Sequence, residues 1–386
     1  MLKICLDATP VRDKPSGVGV YTLNLLKALD KLQQSENFEL TVYFQPALKN
    51  WLKGNLYPTE ILQPYAPRCL PIPVTVTNGL MSFPNPLLTY FARSLNQPDI
   101  VQGTDHFVYP CRNSRNIMTI HDLTFVKYPD YVPTIVKTYL ARIKRCLKWT
   151  DAIITFSENT KRDLVTLLHI DPNKIHVTYQ ASRYHQNYLN SEQIEVLKTT
   201  TNYDFAKPYF LFVSTLEPRK NVINLIQAFN YLKQNHKIEH QLVLIGQMGW
   251  KYEPILEAIN QSPYHSEIHH LNYLSDKLVA LFYTQAEAFI YPSFYEGFGL
   301  PVLEAMTLGA PVITSNTSSL PEVTGDAALL IDPNNFLELA EAMLKVISDR
   351  ALRDQLTTQG KKQAQKFSWN KTAQDTLTVY RSIFDY

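Results

Sequence analysis

Two glutamates that flank a glycine-containing loop have the clearest capacity for chemistry in this sequence. From position 295 the chain reads Tyr-Glu-Gly-Phe-Gly-Leu-Pro-Val-Leu-Glu, so Glu296 begins the loop and Glu304 follows eight positions later. Ionised carboxylates accept hydrogen bonds from neighbouring hydroxyl groups, so this pair suits the diols of a hexose and a ribose. Surface glutamates can share this spacing by coincidence. The surrounding strand, glycine loop and proline-started helix favour a binding site instead.

The same segment predicts a helix terminus that binds an anion. A strand is expected to end at Tyr291, and Gly297 and Gly299 form the loop that follows it. Pro301 then occupies the first helical turn, where proline is tolerated, and Gly309 lies just past the expected helix end. The N–H groups and the positive dipole end of such a helix attract anions, and a diphosphate suits this site.

A second anion-binding stretch is predicted from Ser214 to Asn221, which reads Ser-Thr-Leu-Glu-Pro-Arg-Lys-Asn. It follows a predicted strand, and open α/β sheets bind ligands at the carboxyl ends of their strands. Arg219 and Lys220 place two positive charges there, and a guanidinium matches phosphate oxygens in shape. A solvated Arg-Lys pair is the alternative. The position after the strand favours phosphate binding, with Ser214, Arg219 and Lys220 as the predicted contacts.

The first half of the chain offers two glycines and one histidine. Gly17 and Gly19 lie in a loop predicted from Pro10 to Gly19, where backbone can approach a ligand closely. Thr22 occupies the third glycine position of a dinucleotide fingerprint, so that match fails. His121 ends a predicted strand; a single histidine is commonly structural, but one at a strand end can bond a hydroxyl or handle a proton.

The elements that must position these residues follow an α/β pattern. Short apolar runs alternate with segments of helical period, which predicts doubly wound parallel sheets. The predicted strands are Lys3–Leu6, 40–44, Asn116–Ile120, Ala152–Phe156, Val177–Tyr179, Tyr209–Val213, Gln241–Ile245, Glu267–Leu271, Ala288–Tyr291 and Pro311–Thr314. Helices are predicted at Val222–Leu232 and Trp369–Phe384, among others.

A chain of 386 residues is too long for one ordinary core and suits two domains. We predict a Rossmann-like N-terminal domain over 1–185, a polar connection over 186–207, a second Rossmann-like domain over 208–367 and a final helix over 368–386 that returns to the first domain. Two open sheets leave a cleft between them, which is a usual place for ligands.

Composition excludes several classes of protein. The hydrophobic fraction of 45% and charged fraction of 19% are globular, and a net charge of +2 argues against a nucleic-acid partner. The four cysteines show no CxxC motif and no Cys/His cluster, which indicates a reducing compartment and no metal. The N-terminus lacks a signal-peptide pattern, and no run of about 18 apolar residues exists. We therefore expect a cytoplasmic protein.

One segment predicts contact with a membrane surface. From Pro133 to Trp149 the sequence reads as a single amphipathic helix that carries five basic residues among apolar ones. Such a helix can lie on anionic lipid at the inner face of the plasma membrane. The alternative is an ordinary surface helix whose apolar side packs on the first sheet.

Taken together, these motifs resemble family 4 retaining glycosyltransferases of the GT-B fold over essentially the whole chain. The resemblance rests on the Glu296–Glu304 segment, the Glu-Pro-Arg-Lys-Asn stretch, the His-Asp pair at 121–122 and the N-terminal glycines. It implies that Arg219 and Lys220 hold the diphosphate of a nucleotide-sugar donor. It also assigns Glu296 to sugar hydroxyls and Glu304 to the ribose.

The resemblance implies further contacts with the donor. Backbone at Gly297, Phe298, Gly299 and Leu300 would approach the sugar and phosphates. His121 would face the donor sugar and the reacting centre, and Gly17 and Gly19 would lie near the diphosphate or the acceptor. Ser16 stands where many relatives have a glycine, which weakens the expected phosphate contact of that loop.

The expected chemistry needs no metal or cofactor. No two aspartates are separated by one residue, so the Asp-x-Asp metal clamp of another glycosyltransferase class is absent, and fixed cations replace Mg²⁺. No nucleophilic carboxylate is evident, so we expect front-face attack in which the leaving phosphate accepts the proton. The resemblance favours GDP-mannose as donor and a polysaccharide or lipid-linked glycan as acceptor, with UDP-glucose still open.

Other functions remain as alternatives. A phosphorylase, sugar-nucleotide epimerase or hydrolase of the same fold would act without an acceptor glycan. A non-catalytic sugar-nucleotide binding protein would be expected to lack Lys220, Glu296 or His121, and all three are present. An NAD-dependent dehydrogenase is disfavoured by the failed glycine fingerprint.

Overall fold

The computed structural model describes residues 1–13, 16–80 and 93–384, and two residues of the predicted loop from Pro10 to Gly19 lie outside them. The chain divides into two compact units. The first unit comprises Met1–Val126, Thr134–Gln180 and Ser368–Tyr386, and the second comprises Lys127–Pro133 and Ala181–Phe367. Each unit contains a parallel sheet with helices along its chain, so the predicted α/β class with two doubly wound sheets is confirmed.

The first unit is built on a seven-stranded sheet of described residues, with strand order β3-β2-β1-β4-β5-β6-β7. The strands are β1 Leu2–Asp7, β2 Phe38–Phe44, β3 Arg68–Cys69, β4 Ile100–Gly103, β5 Arg115–Thr119, β6 Ala152–Thr155 and β7 Ile175–Val177. The helices are α1 Gly17–Leu32, α2 Leu48–Leu52, α3 Val74–Leu80, α4 Thr124–Lys127, α5 Thr134–Lys137, α6 Tyr139–Cys146, α7 Glu158–Leu168 and, at the chain end, α16 Trp369–Phe384.

The second unit is built on a six-stranded sheet of described residues, with strand order β10-β9-β8-β11-β12-β13. The strands are β8 Tyr209–Val213, β9 Gln241–Ile245, β10 Ile268–Leu271, β11 Ala288–Tyr291, β12 Val312–Ser315 and β13 Leu329–Ile331. The helices are α8 Ser191–Thr199, α9 Val222–His236, α10 Glu253–Gln261, α11 Asp276–Gln285, α12 Leu300–Leu308, α13 Leu320–Thr324, α14 Phe336–Ser348 and α15 Arg350–Ala364.

The sequence pattern explains why these elements form. Every residue of β8, which reads Tyr-Phe-Leu-Phe-Val, is buried, as expected for a parallel strand covered on both faces. The helix that follows, α9, instead buries one stripe at helical spacing that includes Leu225, Phe229 and Leu232. The strand is therefore an uninterrupted apolar run, whereas the helix that follows it is apolar along one side.

Both sheets reverse their strand order once, and these reversals mark where a ligand can bind. In the first sheet the chain moves outward from β1 to β3 and returns to β4 beside β1. In the second sheet β11 returns beside β8, with Phe289 paired to Leu211. Loops that leave neighbouring strands diverge at such a switch point and open a crevice at the carboxyl ends of the strands.

The predicted final helix has the same bounds in the structure and belongs to the first unit. Helix α16 packs against α1 and buries Ala373, Leu377 and Tyr380. The Thr372 hydroxyl donates to the Tyr179 carbonyl oxygen at 2.6 Å, and the Tyr380 hydroxyl donates to Gln102 Oε1. Residues 186–207, which the sequence analysis treats as a connection, include α8 and are part of the second unit.

The amphipathic segment differs from its prediction. Residues 133–149 form two short helices, α5 and α6, instead of one continuous helix. Arg142 does not face solvent: it is buried, its Nη1 donates to Asn78 Oδ1 at 2.8 Å, and its guanidinium lies over the Tyr139 ring. Among the described helices, none combines the length and the hydropathy that crossing a bilayer requires.

Candidate active site

The two predicted anion-binding stretches lie side by side in the second unit. One follows β8 and the other follows β11, and these strands are hydrogen-bonded neighbours at the switch point of the sheet. The loop after β8 contains a short 3-10 helix, Pro218–Lys220, and the Arg219 carbonyl oxygen accepts a hydrogen bond at 3.0 Å from the Phe294 N–H. The backbone therefore joins the two loops directly, which brings Arg219, Lys220 and Glu296 together.

Four charged side chains form a continuous ion cluster between these loops. Lys220 Nζ donates to Glu296 Oε1 at 2.6 Å, and Arg219 Nη1 donates to Glu296 Oε2 at 2.8 Å. Arg219 Nη2 donates to Glu217 Oε1 at 2.7 Å. Two cations thus face two carboxylates, and the formal charge of the cluster is zero. We call these four residues, Glu217, Arg219, Lys220 and Glu296, the ion cluster.

Burial makes this mutual pairing necessary. Glu217, Lys220 and Glu296 are all buried, and an unpaired charge at such a site would be very costly. Burial alone would raise the pKa of Glu296, but the positive charges of Arg219 and Lys220 outweigh it and lower that pKa to about 2. Glu296 is therefore a fixed carboxylate whose two oxygens are each held by one cation.

Lys220 also has a neutral partner. Its Nζ donates to the Tyr291 hydroxyl at 2.8 Å, and the ammonium lies 5.2 Å from the centroid of that ring. Burial and the nearby Arg219 would lower the pKa of Lys220, yet Glu296 and Tyr291 raise it overall. Lys220 consequently stays charged at neutral pH although little of it is exposed.

The loop that carries Glu296 is fixed by hydroxyl groups from the segment after β12. Ser319 Oγ donates to the carbonyl oxygens of Glu296 and Phe298, at 2.9 and 2.7 Å. The Glu296 N–H donates to Ser318 Oγ at 3.1 Å. Thr317 Oγ1 donates to the Phe294 carbonyl oxygen at 3.1 Å. These bonds give the loop one conformation without using the Glu296 carboxylate.

Helix α12 begins directly after this loop, as the sequence predicts. Gly299 has a φ of +113°, a backbone conformation that favours glycine, and a Cβ there would also displace Leu320 Cδ2, which would lie 2.9 Å away. Phe298 is buried against Phe367, and Leu300 and Pro301 start the helix. The position of the helix N-terminus beside the ion cluster is therefore fixed by backbone and packing.

Glu304 lies on α12 and has a different partner from Glu296. Its two oxygens accept bonds from Arg183, from Nε at 2.7 Å and from Nη2 at 3.2 Å. Arg183 Nη1 also donates to Asp276 Oδ1 at 2.9 Å. The structure thus gives each glutamate of the predicted pair its own cationic contact.

Ser214 completes the predicted residues of the second unit. Its N–H donates to the Ile245 carbonyl oxygen at 3.0 Å, at the end of β9. A Cβ on the next residue of that turn, Gly246, would lie 1.9 Å from the Ser214 carbonyl oxygen, so the two backbones touch closely here. Ser214 therefore lies at the carboxyl edge of the sheet, where the prediction places it.

The first-unit candidates follow β1 and β5, the two strands that flank β4 in the first sheet. His121 follows β5, and its Nε2 is 2.7 Å from the Thr104 carbonyl oxygen, whereas Thr104 Oγ1 donates to the Asp7 carbonyl oxygen at 2.8 Å. Burial lowers the pKa of His121, so the ring is neutral at pH 7. A neutral ring must donate from Nε2 to that carbonyl, which makes Nδ1 the acceptor.

Gly17 and Gly19 lie in the first turn of α1, whose N-cap is Ser16. Gly19 is buried, whereas a Cβ added to Gly17 would meet no atom within 4 Å. The packing of the described residues therefore does not itself require glycine at position 17. Tyr21, one turn further on, packs edge-on against His121. This contact joins the first turns of α1 to the residues that follow β5.

Sequence reasoning missed several residues that shape the site. Glu217 belongs to the same motif as Arg219, but the spacing of the two residues does not predict their ion pair. Arg183 and Asp276 are far from Glu304 in sequence and have no motif of their own. Within the described residues, no group of three or more His, Cys, Asp or Glu side chains is arranged to hold a metal ion.

Two family models match the chain. The one described as "Glycosyltransferase Family 4" matches residues 15–181, and the one described as "Glycosyl transferases group 1" matches residues 194–363. The O-antigen chain mannosyltransferase B of Escherichia coli is 29% identical to this chain, over 99% of the chain and 100% of the relative. Each half of the chain is therefore matched by its own model, and the relative aligns with both.

Solved structures share the fold across the full chain. A sucrose-phosphate synthase from Thermosynechococcus elongatus has a TM-score of 0.76 at 20% identity and covers 100% of both chains. The Anabaena protein HepE, solved in complex with UDP-glucose, has a TM-score of 0.75 at 15% identity, over 99% of this chain and 100% of its own. At these identities the likeness concerns the fold alone.

The pairing of Glu296 predicts a specific dependence of stability on pH. The pKa of Glu296 in the folded protein, about 2, lies below its ordinary value of 4.5, so its ionised form stabilises the folded state above about pH 4.5. That contribution is lost as the pH falls towards 2. The difference in unfolding free energy between wild type and Glu296→Gln should therefore shrink over this range.

Urea unfolding at a series of pH values measures this difference. Glu341→Gln, which changes an exposed glutamate on α14, is the matched control and should differ from wild type by a constant small amount. A wild-type advantage over Glu296→Gln that stays the same from about pH 5 to about pH 3 would show that Glu296 is not held ionised by the two cations.

Proposed function

Because this chain belongs to the family 4 glycosyltransferases, we propose that it transfers a hexose from a nucleotide diphosphate sugar to a glycan or lipid-linked saccharide. GDP-mannose is the favoured donor, since the full-length relative from Escherichia coli is named as an O-antigen chain mannosyltransferase. The observation that supports the proposal best is the ion cluster beside the N-terminus of α12, at the β8/β11 switch point.

The ion cluster suits the stabilisation of a leaving diphosphate. When the bond to the anomeric carbon breaks, negative charge develops on the β-phosphate, and a preorganised cation lowers the energy of that state. Arg219 and Lys220 are held by Glu217 and Glu296 before any substrate arrives, so they need little rearrangement. Because the cluster is neutral, it can hold two cations near the donor without binding any anion indiscriminately.

The same geometry favours front-face transfer with retention. A nucleophilic carboxylate needs an available oxygen, but both oxygens of Glu296 accept bonds from cations, and its pKa of about 2 makes it a weak nucleophile. The remaining lone pairs of Glu296 can still accept bonds from sugar hydroxyls. In this mechanism the acceptor hydroxyl attacks on the face of the leaving group, and the departing phosphate oxygen takes its proton.

His121 supports the donor sugar in this proposal. Its Nε2 is committed to the Thr104 carbonyl oxygen, so the neutral ring offers Nδ1 as an acceptor for a sugar hydroxyl. The lowered pKa of His121, caused mainly by burial, keeps this acceptor unprotonated at neutral pH. The proposed reaction uses no metal, because Arg219 and Lys220 supply the positive charge that Mg²⁺ supplies elsewhere.

An activity assay with candidate donors tests the proposed function. Incubation with GDP-mannose and saccharide acceptors should give an α-linked product, which retains the anomeric configuration, and excess EDTA should leave the rate unchanged. UDP-glucose and other nucleotide sugars serve as the comparison set. Release of free sugar or sugar phosphate without transfer would favour the hydrolase or phosphorylase, and loss of activity in EDTA that Mg²⁺ or Mn²⁺ restores would contradict the metal-free mechanism.

Removal of Lys220 should affect turnover much more than a comparable change elsewhere. We expect Lys220→Met or Arg219→Ala to lower kcat by about 10²-fold or more, because these cations act mainly on the transition state. Lys233→Met is the matched control: the Lys233 side chain, in the second unit, is 8% exposed and pairs with Glu267 at 2.6 Å. Lys220→Met should lose about 3–5 kcal/mol of stability because it breaks a buried pair. Lys233→Met should lose less, because the Glu267 side chain is 25% exposed.

Thermal melts and steady-state kinetics on the three variants separate these effects. Near-normal kcat in Lys220→Met, or an equal loss of kcat in Lys233→Met, would remove Lys220 from the mechanism and leave it as a structural residue.

Peripheral contact with anionic lipid is a further part of the proposed function. Although the amphipathic segment forms two helices, Lys137, Lys144 and Lys148 are exposed there, and Ile135 is 70% exposed. Each lysine near an anionic surface adds about 1 kcal/mol of attraction. An apolar side chain among exposed lysines is the combination that favours a lipid interface.

Co-sedimentation with lipid vesicles tests this contact. The protein should bind vesicles that contain anionic lipid but not neutral vesicles, with weaker binding at high salt. Lys144→Glu/Lys148→Glu should reduce binding, whereas Lys27→Glu/Lys31→Glu, on exposed positions of α1, should not. Protein that stays in the supernatant with anionic vesicles at low salt would exclude this contact and favour a soluble acceptor.

A further inference from the structure

Glu304 is among the most deeply buried carboxylates of the described chain, with 1% of its surface exposed. Within the described residues its hydrogen-bond partner is Arg183, which approaches in a side-on, bidentate arrangement. The fork of a guanidinium matches the two oxygens of a carboxylate, so this contact fixes the direction of the carboxylate as well as its distance. A lysine could not fix both.

Arg183 is itself held from the other side. Its Nη1 donates to Asp276 Oδ1 at 2.9 Å, and Asp276 is the first residue of α11. The neighbouring residue, Tyr184, donates its hydroxyl to the Asp276 carbonyl oxygen at 3.1 Å. The guanidinium therefore bridges two helices, α11 and α12, and cannot swing away from Glu304 without breaking three charge-assisted bonds.

Packing alone does not require a charged residue at the position of Glu304. A buried carboxylate needs an opposite charge, but an apolar side chain at position 304 would fill the same space without this need. A carboxylate offers about four acceptor positions, and the Arg183 fork uses two of them. The remaining positions can accept bonds from a pair of neighbouring hydroxyl groups, and a ribose presents such a pair.

We propose that Arg183 is a positioning residue of the donor site, which orients Glu304 and supplies its counter-charge so that Glu304 can accept bonds from the ribose hydroxyls. This inference rests on the proposed function, in which Glu304 contacts the ribose of the donor. Arg183 acts through Glu304 and touches neither the diphosphate nor the sugar. Its loss should weaken the recognition of the ribose specifically.

The test compares nucleotides with and without the ribose hydroxyls. Calorimetric titration gives the Kd of GDP and of 2′,3′-dideoxy-GDP, and the UDP pair is used in the same way if wild type binds UDP more tightly. The variants are Arg183→Met, which removes the fork, and Arg183→Lys, which keeps the charge. Arg353→Met is the matched control, because Arg353 forms an ion pair with Glu287 in the same unit.

Wild type should prefer the ribonucleotide by about ten-fold or more, since hydrogen bonds to a charged acceptor are among the stronger ones in proteins. Arg183→Met should bring this preference down to about two-fold or less, with little change in the Kd of the dideoxy nucleotide. Arg183→Lys should lie between the two, and Arg353→Met should keep the wild-type preference. If Arg183→Met gives no cooperative melt, Arg183→Lys carries the comparison.

Four results would overturn the inference. Equal weakening of both nucleotides by Arg183→Met would give Arg183 a purely structural role. Unchanged or tighter binding of the ribonucleotide would show that the guanidinium does not help Glu304 or competes with the ribose. No preference for the ribonucleotide in wild type would remove the ribose contact while glycosyl transfer stands, whereas a wild type that binds no nucleoside diphosphate would overturn the proposed function as well.

Discussion

The ion cluster is the constraint on which the second unit depends. A charge withdrawn from water is stable only if its neighbours replace the lost solvation, and Glu217, Arg219, Lys220 and Glu296 do this for one another. They can do so because their loops follow β8 and β11, which are adjacent in the sheet. If β11 were placed elsewhere, Glu296 would lose both of its cations and Lys220 would lose its carboxylate partner. Strand order, loop conformation and charge pairing therefore depend on one another.

The sequence predicts the architecture well because its signals are local. Strands such as β8, β9 and β11 are short apolar runs buried on both faces, and their predicted bounds agree with the structure. Strands β3, β4 and β13 are not among the predicted strands. Strand β4 has only four residues, and two of them, Gln102 and Gly103, are not apolar strand formers. Strands β3 and β13 contain two and three residues, with partly exposed side chains, so neither length nor alternation distinguishes them from loops. Their place at the sheet edge comes from pairing with a neighbour, which no local pattern encodes.

The candidate site was predictable in its residue types and not in its contacts. Glycine loops, a proline at a helix start and charges after a strand identify Glu296, Arg219 and Lys220 as site residues. Their pairing with one another depends on the fold, because it joins positions 76 or 77 residues apart. Arg142 shows the reverse case: its place among basic residues indicates a solvated helix face, but its guanidinium is buried against Asn78 and the Tyr139 ring.

Glu296, in the loop before α12, and Glu304, on α12, are thus stabilised from two different directions. Glu296 pairs with cations in the loop after β8, and Glu304 pairs with Arg183. Arg183 lies three residues after Gln180, where the second segment of the first unit ends. Neither partner belongs to the segment that contains the glutamates, so that segment does not by itself supply the hydrogen-bond donors that these two buried side chains have. A short motif with two buried acids requires cations from elsewhere in the fold, and the positions of these cations decide which hydroxyl groups each acid can accept.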